Sequence, residues 1–145
     1  MNALGPEAIV IVGLGDCVPG NTEHIDLLAR RLRERYGHPI VEACAMTPRN
    51  RQLSEAFAKC VSRGARRILV VPYVFELDAH ELLDLTHALR DEARNLYGVR
   101  VFIGKPLGFD ESLVQIVDKR VRESKELPDV RALSFVKEEG CGTAL

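Results

Sequence analysis

No stretch of this chain reaches the roughly 18 consecutive apolar residues that a membrane-crossing helix needs, so no transmembrane span is expected. No sign of charge dominates either. Twenty Lys and Arg stand against 21 Asp and Glu, a net charge of -1. That balance argues against a polyanion-binding surface as the main business, so nucleic acid is not an expected partner. The N-terminus, MNALGPEA, has no basic region followed by an apolar core, so no signal peptide is expected. The four cysteines, at 17, 44, 60 and 141, have no CxxC spacing and form no dense framework. They read as reduced thiols of a cytoplasmic protein, where disulfides are rare. Long repeats and low-complexity tracts are also missing.

What is present is the material of one α/β domain. The 145 residues are 46% hydrophobic, enough for a full core. Ala8 to Gly13, AIVIVG, reads as a strand apolar on both faces, as a strand covered by helices on either side must be. A breaker-rich loop, GLGDCVPGN, follows, then a helix from about Gly20-Asn21-Thr22 to Tyr36 with Ile25, Leu28 and Leu32 on one face. Pro39 to Met46 is the second strand, and Thr47-Pro48 opens the next loop or helix. Leu53, Ala56, Phe57, Cys60 and Val61 keep the helical i, i+3, i+4, i+7, i+8 spacing. Ile68 to Val71 is the third strand, with Pro72 expected to end its pairing. A third helix runs from about Ala79 to Asn95 with Leu82, Leu85, Leu89 and Leu96 inward. Val99 to Ile103 is the fourth strand. Asp110 caps a fourth helix whose inward stripe is Leu113, Ile116, Val117 and Val121.

Strand and helix thus alternate four times, with connections long enough for parallel pairing. The expected fold is a three-layer α/β sandwich with a parallel sheet of about four strands. Residues 1–124 form the domain. Residues 125–145 form a C-terminal arm or tail, with Leu133 to Val136 as a short strand or arm within it.

The stretch Ile68 to Leu85, ILVVPYVFELDAHELLDL, organises the rest. Asp78 reads as a helix N-cap, with Glu81 three residues on in a capping-box pattern. His80 then falls in the first helical turn, at the carboxyl end of a central strand, where open parallel sheets bind ligands. The positive end of the helix favours neutral imidazole, the form that binds metals or accepts protons. A solvent-exposed first-turn histidine is the plain alternative. Cys17 lies in the first loop on the same edge, so a Cys–His metal pair is conceivable beside a simple packed thiol. Arg49, Arg51 and Lys105 follow strands two and four, where together they would meet an acidic ligand. Singly, each reads as solvated charge. Gly13-x-Gly15 invites a dinucleotide reading, but Val18 stands where the third glycine belongs, so no nucleotide is expected. His24, His38 and His87 read as surface or boundary residues.

Taken in order, IVIVGLGD, then RGARRILVVP, then the stretch through His80 and Asp84, then Lys105-Pro106-Leu107-Gly108, resemble a family. The chain is similar to the small, single-domain sirohydrochlorin cobaltochelatases and ferrochelatases, CbiX-like members of the class II chelatase group. The resemblance covers about Ala8 to Glu123. It implies a flavodoxin-like half of the chelatase fold and a homodimer. It implies insertion of a divalent metal into a tetrapyrrole bearing many carboxylates, for cobalamin or siroheme-type biosynthesis. The metal, cobalt, iron or nickel, is a substrate. Such enzymes use two histidines on neighbouring loops to bind the metal and remove pyrrole protons, which requires bases neutral near pH 7.

Here the sequence departs from the pattern. The family's first loop reads Gly-His-Gly-Ser, and this chain reads Gly13-Leu14-Gly15-Asp16. Leu14 can neither bind metal nor take a proton. A glutamate usual near the end of strand two is Thr47 here. Of the histidine pair, His80 alone carries over as catalytic residue and metal ligand, with Asp16 and Cys17 as candidate replacement ligands. Gly13, Leu14, Gly15, Arg49 and Lys105 are the candidate substrate contacts. Three readings stand: an active chelatase, a degenerate member that binds tetrapyrrole or metal as a carrier, sensor or partner subunit, and an unrelated binder on the same fold.

Overall fold

The computed structural model describes residues 6–14, 23–46 and 51–133. The chain divides into two compact units, Met1–Gly108 and Phe109–Leu145. The first unit alternates strands and helices: β1 (Glu7–Gly13), α1 (Glu23–Tyr36), β2 (Ile40–Ala45), α2 (Arg51–Ser62), β3 (Arg67–Tyr73), α3 (Ala79–Ala93) and β4 (Arg100–Ile103). The four strands form one sheet in the order β2-β1-β3-β4, and every pair is parallel. This is the expected α/β architecture. After β1 the chain goes to one side for β2 and then to the other for β3. The reversal puts a switch point at the carboxyl ends of β1 and β3, where such sheets leave a crevice.

Both faces of β1 are covered, which is why its sequence is unbroken apolar. Ala8, Val10 and Val12 pack with Leu53, Ala56, Phe57 and Cys60 of α2 and with Leu85, Ala88 and Leu89 of α3. Ile9 and Ile11 point the other way and pack with Val41 of β2 and with Leu28, Ala29 and Leu32 of α1. The alternation follows from the two-residue period of a strand. The result is three layers: α1, the sheet, then α2 with α3.

Two expectations fail here for physical reasons. Pro72 does not end β3. It sits opposite Val12 of β1, fully buried, and Tyr73 continues the ladder opposite Gly13. Successive residues of a parallel strand bond to opposite neighbours. The Val70 carbonyl accepts from Gly104 at 2.7 Å, so Pro72 faces the same side, beyond the last β4 rung at Ile103. Its missing N–H has no strand partner to lose. Leu82 does not turn inward. It is 43% exposed, and the buried residues of α3 start at Leu85, so the first turn stands clear of the core. Leu96, the other end of that predicted stripe, packs against the core as expected.

The second unit carries α4 (Glu111–Glu123) and a three-residue 3-10 turn, Val130–Ala132. Asp110 caps α4 as the sequence indicated, its carboxylate accepting the Ser112 N–H at 2.9 Å. The predicted inward stripe is not buried. Ile116, Val117 and Val121 are each about half exposed, and α4 has no buried residue. Among the described residues this unit has one helix and one short turn, so it offers no second apolar layer of its own. The segment from Ser134 onward lies outside the described residues.

Candidate functional site

His80 is set by the cap before it. Asp78 adopts extended backbone and its carboxylate accepts the Glu81 N–H at 2.7 Å. This satisfies one of the unpaired donors of the first turn and fixes where α3 begins. His80 is the second residue of that helix, its side chain 83% exposed. Its Nδ1 lies 3.3 Å from Oδ2 of Asp84, one turn further on.

The helix end alone favours neutral imidazole, but the surroundings reverse that preference. His80 is held above the usual histidine value, first by a hydrogen bond to its own backbone carbonyl and then by the Asp84 carboxylate. Asp78 and Glu81 push the same way. The backbone carbonyl first, and then the three carboxylates, favour the protonated form of this exposed ring. The outcome is a more basic imidazole.

The loop leading to His80 is tied to the loop after β4. The Leu107 N–H donates to the Val74 carbonyl and the Gly108 N–H to the Phe75 carbonyl, each at 2.9 Å. Gly108 has φ +58°, a conformation glycine adopts freely. Gly104 starts this loop against β3, where an added Cβ would come within 3.2 Å of the Val70 carbonyl oxygen. Lys105 lies between these anchors and is exposed. The loop bearing Lys105 and the loop leading to His80 are therefore joined backbone to backbone. Phe75 and Leu107 on the same loops are also exposed, 58% and 42%, so the edge presents apolar surface beside its charges.

Gly13 is the last residue of β1 and its carbonyl accepts the Met46 N–H at 3.0 Å. Leu14 follows, half-buried, with its side chain packed against the α2–α3 core. Gly15, Asp16 and Cys17 lie outside the described residues, as do Thr47 and Arg49. Cys44 and Cys60 are buried free thiols, Cys60 on the helical face its spacing indicated. Burial is the main cause pushing each up to about 12. Neither is a nucleophile or a ready ligand.

One residue at this edge escaped the sequence reading. His24, at the start of α1, sets its ring against Tyr73 at the end of β3, centroids 5.3 Å apart. The sequence placed it only among surface or boundary residues, and it is exposed. The available signal was topological: the first turn of a helix after β1 must lie at the carboxyl edge. Among the described residues no three His, Cys, Asp or Glu gather to hold a metal ion.

Residues 8–124 match the CbiX family model. The chain belongs to the CbiX family. It is 28% identical over 122 residues to the chloroplastic sirohydrochlorin ferrochelatase of Arabidopsis thaliana, covering 83% of this chain and 54% of that protein. It is 35% identical over 83 residues to a sirohydrochlorin cobaltochelatase of Methanocaldococcus jannaschii, 57% of this chain and 58% of that one. The sirohydrochlorin chelatase SirB of Bacillus subtilis subspecies spizizenii, solved with cobalt, superposes with a TM-score of 0.69. It shares 26% identity over 81% of this chain and 50% of its own. The chain spans about half the length of the curated relatives that match most of it. No helix among the described residues is long and apolar enough to cross a membrane.

Proposed function

We propose that this protein is a sirohydrochlorin chelatase, inserting cobalt or iron into a carboxylate-rich tetrapyrrole. One observation carries the reading. The family match spans residues 8–124 and includes a histidine at the start of α3, on the carboxyl edge of the sheet. Insertion forms metal–nitrogen bonds and releases two pyrrole protons. A ring of raised basicity, open to solvent beside an apolar platform, suits that task.

In this reading His80 binds the incoming metal and accepts a proton. Asp16 and Cys17, from the loop after β1, complete the ligand set in place of the histidine missing at Leu14. Gly13, Leu14, Gly15, Arg49 and Lys105 contact the substrate, Arg49 and Lys105 meeting its carboxylates. Nickel is a further candidate substrate, and no nucleotide takes part. The reaction is that of a lyase. It is assigned to the cytoplasm, without nucleic acid or membrane as partners. The chelatase-like domain is residues 1–124, with the remainder an appended arm. The chain acts as a homodimer, a reading supported by the exposed apolar stripe of α4.

A second reading has its own support. Leu14 packs against the core, so its site is filled by a hydrophobe and not merely stripped of a base. That favours a member that binds tetrapyrrole or metal without insertion.

Anaerobic absorbance of sirohydrochlorin with the protein, before and after cobalt(II), separates the readings. Metallation faster than the protein-free control supports the enzyme. A spectral shift on mixing without acceleration supports the binder. The absence of both effects would overturn the tetrapyrrole assignment.

A further inference from the structure

We propose that Asp84 is the positioning residue for His80, accepting its Nδ1–H so that the neutral ring presents an open Nε2 lone pair to metal and substrate. The proposal rests on the chelatase reading for the role of His80, and on geometry for the pairing. Residues four apart on a helix share a face, and helical side chains lean toward the N-terminus. Asp84 therefore reaches back over the first turn, and its Oδ2 lies 3.3 Å from Nδ1, an ion-pair contact beside the hydrogen bond the ring makes to its own backbone carbonyl. The other nearby acids are placed differently. Asp78 accepts the Glu81 N–H, and Glu81, adjacent to His80, does not share its face.

The choice of nitrogen matters. Imidazole in water favours the proton on Nε2, which would turn a donor toward any incoming cation. A carboxylate at Nδ1 inverts that preference and frees Nε2 as the ligand atom. It also restricts ring rotation, so the lone pair keeps one direction. The pair is 83% and 67% exposed, so it adds little to stability, and its removal leaves the fold standing.

Long-range 1H–15N spectra of the metal-free protein, at a pH where the ring is neutral, read the tautomer directly. The His80 signals are those that disappear in His80→Gln. The wild type is expected as the Nδ1–H form. Asp84→Ala should shift the ring toward Nε2–H, with the backbone carbonyl alone left to hold Nδ1–H, and Asp84→Asn, which keeps an acceptor oxygen, should retain Nδ1–H. Cobalt insertion in Asp84→Ala should fall about 10- to 100-fold in kcat, the usual effect of losing such a partner, with KM for the tetrapyrrole unchanged. Asp84→Asn should recover part of it. An unchanged tautomer in Asp84→Ala overturns the proposal, and so does a changed tautomer with unchanged kcat. If the wild type inserts no metal, the chelatase reading falls and the assigned role with it. The spectra then still decide whether Asp84 holds the ring.

Discussion

Gly13 and Tyr73 face one another at the last rung of the β1–β3 ladder. One residue further on, β1 gives way to the loop starting at Leu14, and β3 to the loop that reaches His80. The two stretches on which the functional reading depends thus leave the sheet side by side, at its switch point. His24 packs its ring at a tilt against Tyr73 from the α1 side.

His80→Ala should abolish protein-dependent metal insertion, a loss of at least about 100-fold for a positioned proton acceptor. The side chain is exposed, so stability should move by no more than about 0.5 kcal/mol. Initial rates of cobalt(II) incorporation and a thermal melt on the same preparation measure both.

Leu14→His should raise the insertion rate by about tenfold or more, because it puts an imidazole one loop away from His80. It should also cost about 1–2 kcal/mol, since a half-buried leucine leaves the α2–α3 core. Rates and denaturant titrations check the two halves. An unchanged rate would mean that other groups have taken over the position.

Insertion should speed up with rising pH and level off above the usual histidine range. The base works only when neutral, and His80 is held above 6.5. Stability runs the opposite way. The favourable contacts of the charged ring with its own backbone carbonyl and then with Asp84 are present in full below the unfolded-state value and are lost as pH climbs through the raised one. A rate profile across that interval, compared with His80→Ala, isolates the contribution.

Cys44 and Cys60 should resist alkylation in the folded protein at pH 8 and react only on unfolding, as peptide mass spectrometry of labelled protein would report. Their thiols stay protonated up to about 12 against an ordinary 9.0. Between those values the unfolded chain gives up protons that the folded chain keeps, so stability should fall as pH rises through that window.

Asp78→Ala should cost about 1 kcal/mol through loss of the helix cap. It should lower insertion beyond what that destabilisation explains, because the cap fixes the turn bearing His80. Activity measured well below the melting temperature separates the two effects.

Much of this was legible in the residues. The spacing of Leu53, Ala56, Phe57 and Cys60 specified a helix and its buried face, and all four are buried. AIVIVG specified a strand covered on both sides. Asp78 and Asp110 announced two helix starts through their side chains, and both cap as expected. What failed needed the third dimension. Whether Pro72 breaks a strand depends on whether a neighbour waits for its N–H, and β4 ends before it does. Whether Leu82 is buried depends on how far α3 projects past the core. The rise in His80 basicity needed the Nδ1–Asp84 distance, which i, i+4 spacing permits but does not dictate. The period of the α4 stripe was correct, yet periodicity cannot say what covers an apolar face.

The two hydrogen bonds joining Val74 and Phe75 to Leu107 and Gly108 bear on the order of synthesis. His80 is synthesised before β4, Gly104 and Leu107. Until they arrive, the Val74 and Phe75 carbonyls lack these partners and the approach to His80 has nothing to rest against. A chain released before residue 104 would carry the site histidine and most of the core, but not the backbone brace that fixes its loop. The site would therefore be completed late in translation, after the sheet that supports it.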